Sequence, residues 1–196
     1  LSLVAKDLEL YSTMVVIAPR FVIFNNLGIN VLICQYKGNN VPESILPQEK
    51  KPYYFCGMGA DSPVCFRPIE EDKMSEFHSG SKWNWSLPIS LVNCGLMTVQ
   101  IPGIKSYEKK YINIEKQVEE NTTFVILNEA DYTNAQFVIE NYSHYISMKI
   151  YQENFDKYPE YVNINSRSMY AWSDYNESKI MNIEFLIGDI TDRPLC

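Results

Sequence analysis

The chain has 196 residues, 46% of them apolar and 13% aromatic, with a net charge of −7. That composition is too hydrophobic for disorder, and no window clusters the Lys and Arg that a phosphate backbone or an anionic lipid surface requires. Nucleic acid is therefore not expected as a partner, and since no apolar run approaches the ~20 residues that span a bilayer, direct membrane insertion is not expected either.

The length suits one β domain or two small tandem units. In chain order the apolar runs are MVVIA (14 to 18), FVIF (21 to 24), VLICQ (31 to 35), VCF (64 to 66), LPISLV (87 to 92) and LMTVQI (96 to 101). YINIEK (111 to 116), TTFVIL (122 to 127), FVIE (137 to 140), SMKIYQ (147 to 152) and IMNIEFLI (180 to 187) follow. The runs are short, β-branched and aromatic, and turn residues such as Asn26-Leu27-Gly28, Asn93-Cys94-Gly95 and Pro102-Gly103 bound many of them. This predicts an all-β fold of sandwich type or stacked sheets. A long polar loop is expected at about 37 to 80. Residues 106 to 121, rich in Glu and Lys, could be argued into a helix, but the partial alternation of Ile112 and Ile114 with Tyr111, Asn113 and Glu115 favours a strand.

One phrase is written twice. FVIFNNLGINVLICQ begins at Phe21 and FVIENYSHYISMKIYQ at Phe137, so that Asn25 recurs as Asn141 and Gln35 as Gln152, with one extra residue in the second turn. MVVIA precedes the first copy and TTFVIL the second. Lys82-Trp83-Asn84-Trp85-Ser86 follows the first, and Tyr170-Ala171-Trp172-Ser173 the second. The reading is tandem β-sandwich repeats, one unit at 12–118 and a second, truncated unit at 119–196, in a piece excised from a longer array. Neighbouring repeats of the same chain are then expected partners.

Asn25 and Asn141 each close a strand before a turn, where Asn tolerates positive φ and its amide satisfies backbone groups left unpaired. They are expected to be structural repeat asparagines rather than ligand contacts. Trp85 and Trp172 read as buried core anchors, while Trp83, its counterpart Tyr170, and Trp172 are the candidate peptide-binding rings.

Catalytic chemistry has little support. His78 and His144 are the only histidines, in unlike contexts, and no H-E-x-x-H, G-x-S-x-G or Walker pattern occurs. Gly57-Met58-Gly59 lacks a third glycine, and Glu70-Glu71-Asp72 reads as a solvated acidic tip. No zinc-ligand spacing can be assembled, so neither enzyme activity, cofactor nor metal is expected. The five cysteines, Cys34, Cys56, Cys65, Cys94 and Cys196, are odd in number and irregular in spacing, which fits a reducing compartment; a Cys56–Cys65 bridge is the one open pairing. Sequons at Asn84, Asn121, Asn141 and Asn176 support the alternative of a secreted carbohydrate-binding β-sandwich, although Asn84 and Asn141 fall on anchors expected to be partly buried.

Ala18-Pro19-Arg20-Phe21-Val22-Ile23-Phe24-Asn25-Asn26, Gln35, Trp85-Ser86, the second phrase from Phe137, and Ser166-Arg167-Ser168-Met169-Tyr170-Ala171-Trp172 together resemble the adaptor-binding, or SHR-binding, region of the chorein (vacuolar protein sorting thirteen) family. The resemblance covers nearly the whole chain. It implies a series of β-sandwich repeats, each marked by an Asn, here Asn25 and Asn141. It also implies a non-catalytic targeting module of a bridge-like lipid-transfer protein, cytoplasmic and peripheral at organelle membrane contact sites, that recruits adaptor proteins through Pro-x-Pro peptides. A β module would hold such a peptide on a strand edge or in aromatic pockets.

Overall fold

The computed structural model describes residues 2–8, 12–57, 62–69, 82–92, 95–105 and 108–188. His78, Cys94, Cys196, Glu70-Glu71-Asp72 and Met58-Gly59 lie outside the described residues. Among the described residues all regular structure is strand, as the β-branched and aromatic runs demand.

The antiparallel hairpin β1 (Ser2–Leu8) and β2 (Ser12–Ala18) comes first. Then follow β3 (Phe21–Asn25), β4 (Asn30–Gln35), β5 (Glu43–Ile45), β6 (Lys50–Tyr53) and β7 (Val64–Ile69). After these come β8 (Met97–Pro102), β9 (Lys109–Glu119) and β10 (Thr122–Glu129). One sheet has the order β6-β3-β10-β9-β8 and a second the order β5-β4-β7. Period-2 alternation turns Ile23, Ile101, Ile112, Ile114, Val125 and Leu127 of the first sheet onto Ile33, Ile45, Val64 and Phe66 of the second, and these residues form one core. Full burial of each such side chain contributes about 1.5–3 kcal/mol.

The remaining strands are β11 (Phe137–Asn141), β12 (Ile146–Gln152), β13 (Glu160–Val162), β14 (Ser166–Tyr170) and β15 (Met181–Ile187). β11 pairs with β14 as β3 pairs with β6, and β12 lies between β13 and β15 as β4 lies between β5 and β7. Between them sits a smaller core of Ile150, Val162, Tyr170 and Trp172, with Phe137, Ile139 and Met148 packed against it.

Three details differ from the sequence expectation. LPISLV is not a strand: Pro88 has no N–H to donate, and only Ile89 bridges, exchanging both backbone bonds with Val64 at 2.8 and 2.9 Å. The polar loop at 37 to 80 carries β5 and β6, and Lys50-Lys51-Pro52-Tyr53 escapes recognition because an edge strand needs no apolar run and tolerates proline. Most consequentially, β10, expected to open the second unit, pairs parallel with β3 and antiparallel with β9 and sends Val125 and Leu127 into the first core.

Leu127→Ala is accordingly expected to cost about 2–5 kcal/mol and to speed amide exchange in β3, β4 and β9. Faster exchange confined to β11–β15 would remove β10 from the first core.

Candidate functional site

Asn25 and Asn141 terminate β3 and β11 and are almost wholly buried, at 0% and 6% exposure. Asn25 Oδ1 accepts from the Leu27 N–H at 3.1 Å, closing the turn, while Nδ2 donates to the Ile29 carbonyl at 2.9 Å and across the sandwich to the Ile45 carbonyl at 3.0 Å. Asn141 does the same work. Its Oδ1 accepts from Ser143 N–H at 3.0 Å, and Nδ2 donates to Ile146 at 2.7 Å, Asn163 at 2.9 Å and Val162 at 3.3 Å. Asp in either place has no donors for these carbonyls. The engaged Asn141 amide also leaves its sequon no free nitrogen to carry a glycan in the folded chain.

The glutamines that close both phrases act similarly. Gln152 is fully buried, donates to the Asp174 and Ser178 carbonyls at 2.8 and 2.9 Å and accepts from Asp174 N–H at 2.8 Å. Gln35 Oε1 accepts from Cys56 N–H at 3.0 Å.

Of the candidate peptide-binding rings, Tyr170 and Trp172 are 3% and 8% exposed and stack edge-on with centroids 5.6 Å apart, Phe137 meeting Trp172 at the same distance. They are core, and they offer no open face to a peptide. Burial pushes the Tyr170 phenol up to about 12. Trp83 is half-buried, bridged to Gly103 and covered by the Lys82 ammonium at 5.4 Å from its centroid. Asn84, expected to be partly buried, is exposed and donates to the Gly103 carbonyl at 2.8 Å.

Chemistry-bearing side chains do not gather. Among the described residues no three His, Cys, Asp or Glu side chains are placed to share a metal ion. His144 Nδ1 lies 3.0 Å from Asn165 Nδ2 on the exposed turn. Cys34, Cys56 and Cys65 are free thiols, so the Cys56–Cys65 bridge is not formed. Cys34 and Cys65 face each other across β4 and β7, and burial pushes the Cys65 thiol up to about 12.

A polar joint between the two cores was invisible in the sequence. Lys109 Nζ meets Glu160 at 2.6 Å, Tyr111 donates to the same carboxylate at 3.0 Å, and Ser168 donates to its other oxygen. Burial and the Glu160 charge together push the Tyr111 phenol well above its usual range. Beside it, Thr98 Oγ1 donates to Asn113 Oδ1 at 2.6 Å and accepts from Gln136 N–H at 2.8 Å, Asn113 Nδ2 donates to the Asn134 carbonyl at 2.9 Å, and the Tyr175 hydroxyl reaches the Thr98 carbonyl. Thr98 and Asn113 alternate with core residues, so from the sequence they read as solvent-facing positions.

On the outer face of the five-stranded sheet a groove of about 640 Å³ is lined by Asn26, Asn113, Glu115, Asn128, Glu129 and Asn134. Asn26 Nδ2 donates to Asn128 Oδ1 at 2.7 Å, and Gln48 Nε2 donates to Asn26 Oδ1 at 3.0 Å. Two residues back along each strand, hence on the same face, stand Phe24 and Ile126, and two further back on β10 stands Phe124, all half-buried. Lys50 Nζ lies over both phenyl rings, 5.1 Å from the Phe24 centroid and 5.8 Å from that of Phe124. The surface thus runs from an aromatic pair into a trough of side-chain amides and carboxylates.

Compared with models of known families, residues 8–178 match the one described as vacuolar-sorting associated protein 13, adaptor binding domain. No curated protein sequence matches the chain.

Asn141→Ala strands buried carbonyls without a donor and is expected to destabilise the second core by about 1–3 kcal/mol, read as a lowered urea midpoint; Asn25→Ala should do the same to the first. An unchanged midpoint would remove the structural role from these asparagines.

Proposed function

The chain belongs to the vacuolar-sorting associated protein 13 adaptor binding domain family, and from that premise we propose that it captures adaptor proteins through short extended Pro-x-Pro segments. Adaptor binding is the role of the family. Recruitment by such peptides, and the anchoring of a bridge-like lipid-transfer protein at organelle contact sites, are the finer reading.

The observation that carries the site is the track on the outer sheet face. Phe24 and Phe124 present neighbouring rings suited to a proline. The amides of Asn26 and Asn128 stand two positions on from Phe24 and from its β10 neighbour Ile126, near the spacing at which an extended segment presents its next polar backbone groups. Glu115 and Glu129 add negative charge to the groove, which favours a basic residue in the bound segment. The rings of Tyr170 and Trp172 are spent on the core, which leaves Trp83 as the one of the three earlier candidates with a half-open ring.

The unit organisation follows the strand pairing. We take residues 137–187 as a second repeat of 21–69, with each folded sandwich closed by a hairpin of the β9–β10 kind, so the boundary lies after β10 near residue 130 rather than at 118. The matching pairings of β3, β4 and their partners with β11, β12 and theirs support this.

Titration of the intact chain with a Pro-x-Pro peptide, followed by nitrogen–proton NMR, is expected to shift the amides around Phe24, Asn26, Phe124 and Asn128. Phe124→Ser should weaken the peptide by about tenfold, or ~1.4 kcal/mol, with the fold intact. A peptide that leaves all these amides unmoved, or that binds Phe124→Ser as well as the parent chain, overturns this site.

A further inference from the structure

Two thiols that adaptor binding leaves unused stand directly opposite each other inside the first sandwich. In the antiparallel ladder of β4 and β7, Cys34 is the register partner of Cys65, so both side chains leave the same face of the three-stranded sheet. The bonds on either side fix the class of this pair. Tyr36 N–H donates to the Pro63 carbonyl at 2.8 Å, across the ladder. Phe66, opposite Ile33, turns its backbone away from β4: its N–H donates to Ser86 Oγ at 2.9 Å and its carbonyl accepts from Ser86 N–H at 2.8 Å. Bonded and non-bonded pairs alternate along such a ladder, so Cys34 and Cys65 form a bonded pair, with Cα atoms ~5.5 Å apart. That separation lies inside the range of about 4.4–6.8 Å over which a disulfide joins two cysteines.

The Cys34 sulfur leans across the ladder. Burial raises its thiol, and a hydrogen bond from the Cys65 backbone partly offsets this. A charge on Cys34 in turn adds to the burial that raises Cys65, so the two groups act on each other. Both thiols are free, Cys34 half-buried and Cys65 buried, which makes Cys34 the side from which a small oxidant enters. Cys56 is exposed and belongs to no strand, so no ladder aligns it with either sulfur.

We propose that Cys34 and Cys65 are an oxidative modification site, a dithiol that hydrogen peroxide converts to a cross-strand disulfide and a small thiol restores. The Cys34 thiolate attacks one peroxide oxygen and the O–O bond breaks, giving a sulfenic acid and a hydroxide that leaves as water with the thiol proton. Cys65 then attacks the Cys34 sulfur, the S–O bond breaks, and a second water leaves with the Cys65 proton. Two electrons have passed from the sulfurs to the peroxide. Burial keeps the thiolate fraction low, so bridging is slow and follows sustained exposure to oxidant. The bridge closes the chain between the two cysteines, β5 and β6 included, into a ring. That ring contains Lys50, whose ammonium lies over Phe24 and Phe124. Bridge formation itself is independent of adaptor binding.

To test this, the reduced 196-residue chain is treated with hydrogen peroxide, its remaining thiols are alkylated with N-ethylmaleimide, and its digest is read by mass spectrometry. The peptides holding Cys34 and Cys65 are expected to be joined, with the loss of two hydrogens and of both alkylation sites, and Cys56 to stay outside the bridge. Dithiothreitol should restore both thiols. In the bridged chain the urea midpoint is expected to rise and amide exchange in β5 and β6 to slow about tenfold. Cys34→Ser and Cys65→Ala should each abolish the joined peptide and both shifts. Should circular dichroism show Cys65→Ala unfolded, Cys34→Ser at the more open position carries the test. Cys34 and Cys65 both alkylated after peroxide, a bridge from either to another cysteine, or a joined pair that forms only in urea overturns the proposal.

Discussion

A single carboxamide at the end of a strand holds together the parts of this protein that face each other. Asn25 and Asn141 each close a tight turn with the side-chain oxygen and reach with the nitrogen to a carbonyl on the opposite sheet, Ile45 in one half and Val162 in the other. Turn and sandwich are thereby coupled through one buried group, whose loss leaves several backbone atoms unsatisfied where water does not reach. The apolar residues around it supply most of the stabilisation but little direction. The amide sets where the chain leaves the first sheet and how the second lies against it.

From that constraint the rest of the architecture follows outward. The turn after Asn25 delivers β4 to the second sheet, and β10 returns about a hundred residues later to lie parallel to β3. In the first half the β9–β10 hairpin covers the central strands. Phe66 and Leu127 are buried there, whereas Ile17, Ile183 and Phe185 are exposed. The two halves meet through polar contacts, the Lys109–Glu160 pair and the Gln136–Thr98 bond among them. Such contacts specify orientation, since buried donors and acceptors tolerate few alternative arrangements.

The surface available for recognition is what this economy of burial leaves over. Tyr170 and Trp172, two of the three rings that looked most like binding residues, are consumed by the second core. The outer face of the five-stranded sheet retains half-open phenyl rings beside a trough of asparagines. The adaptor-binding role of the family accords with a surface made of strand face and amides.

By itself the sequence determined the all-β class, nearly every strand of apolar character, the repeated Asn and Gln anchors, and the family resemblance, because each is carried by residues adjacent in the chain. The alternation of Ile112 and Ile114 identified β9 against its helix-like charge content. Beyond this the tertiary structure decided. Whether β10 belongs to the first or the second core depends on which strand it hydrogen-bonds, and its own periodicity is the same in either case. Lys50 to Tyr53 form a strand only because β3 offers an edge. Thr98, Asn113 and Glu160 read as surface residues until the second half is brought against them. Periodicity along a strand records which face is apolar; the neighbour that covers that face, or bonds its edge, lies far away in the chain and leaves no local mark.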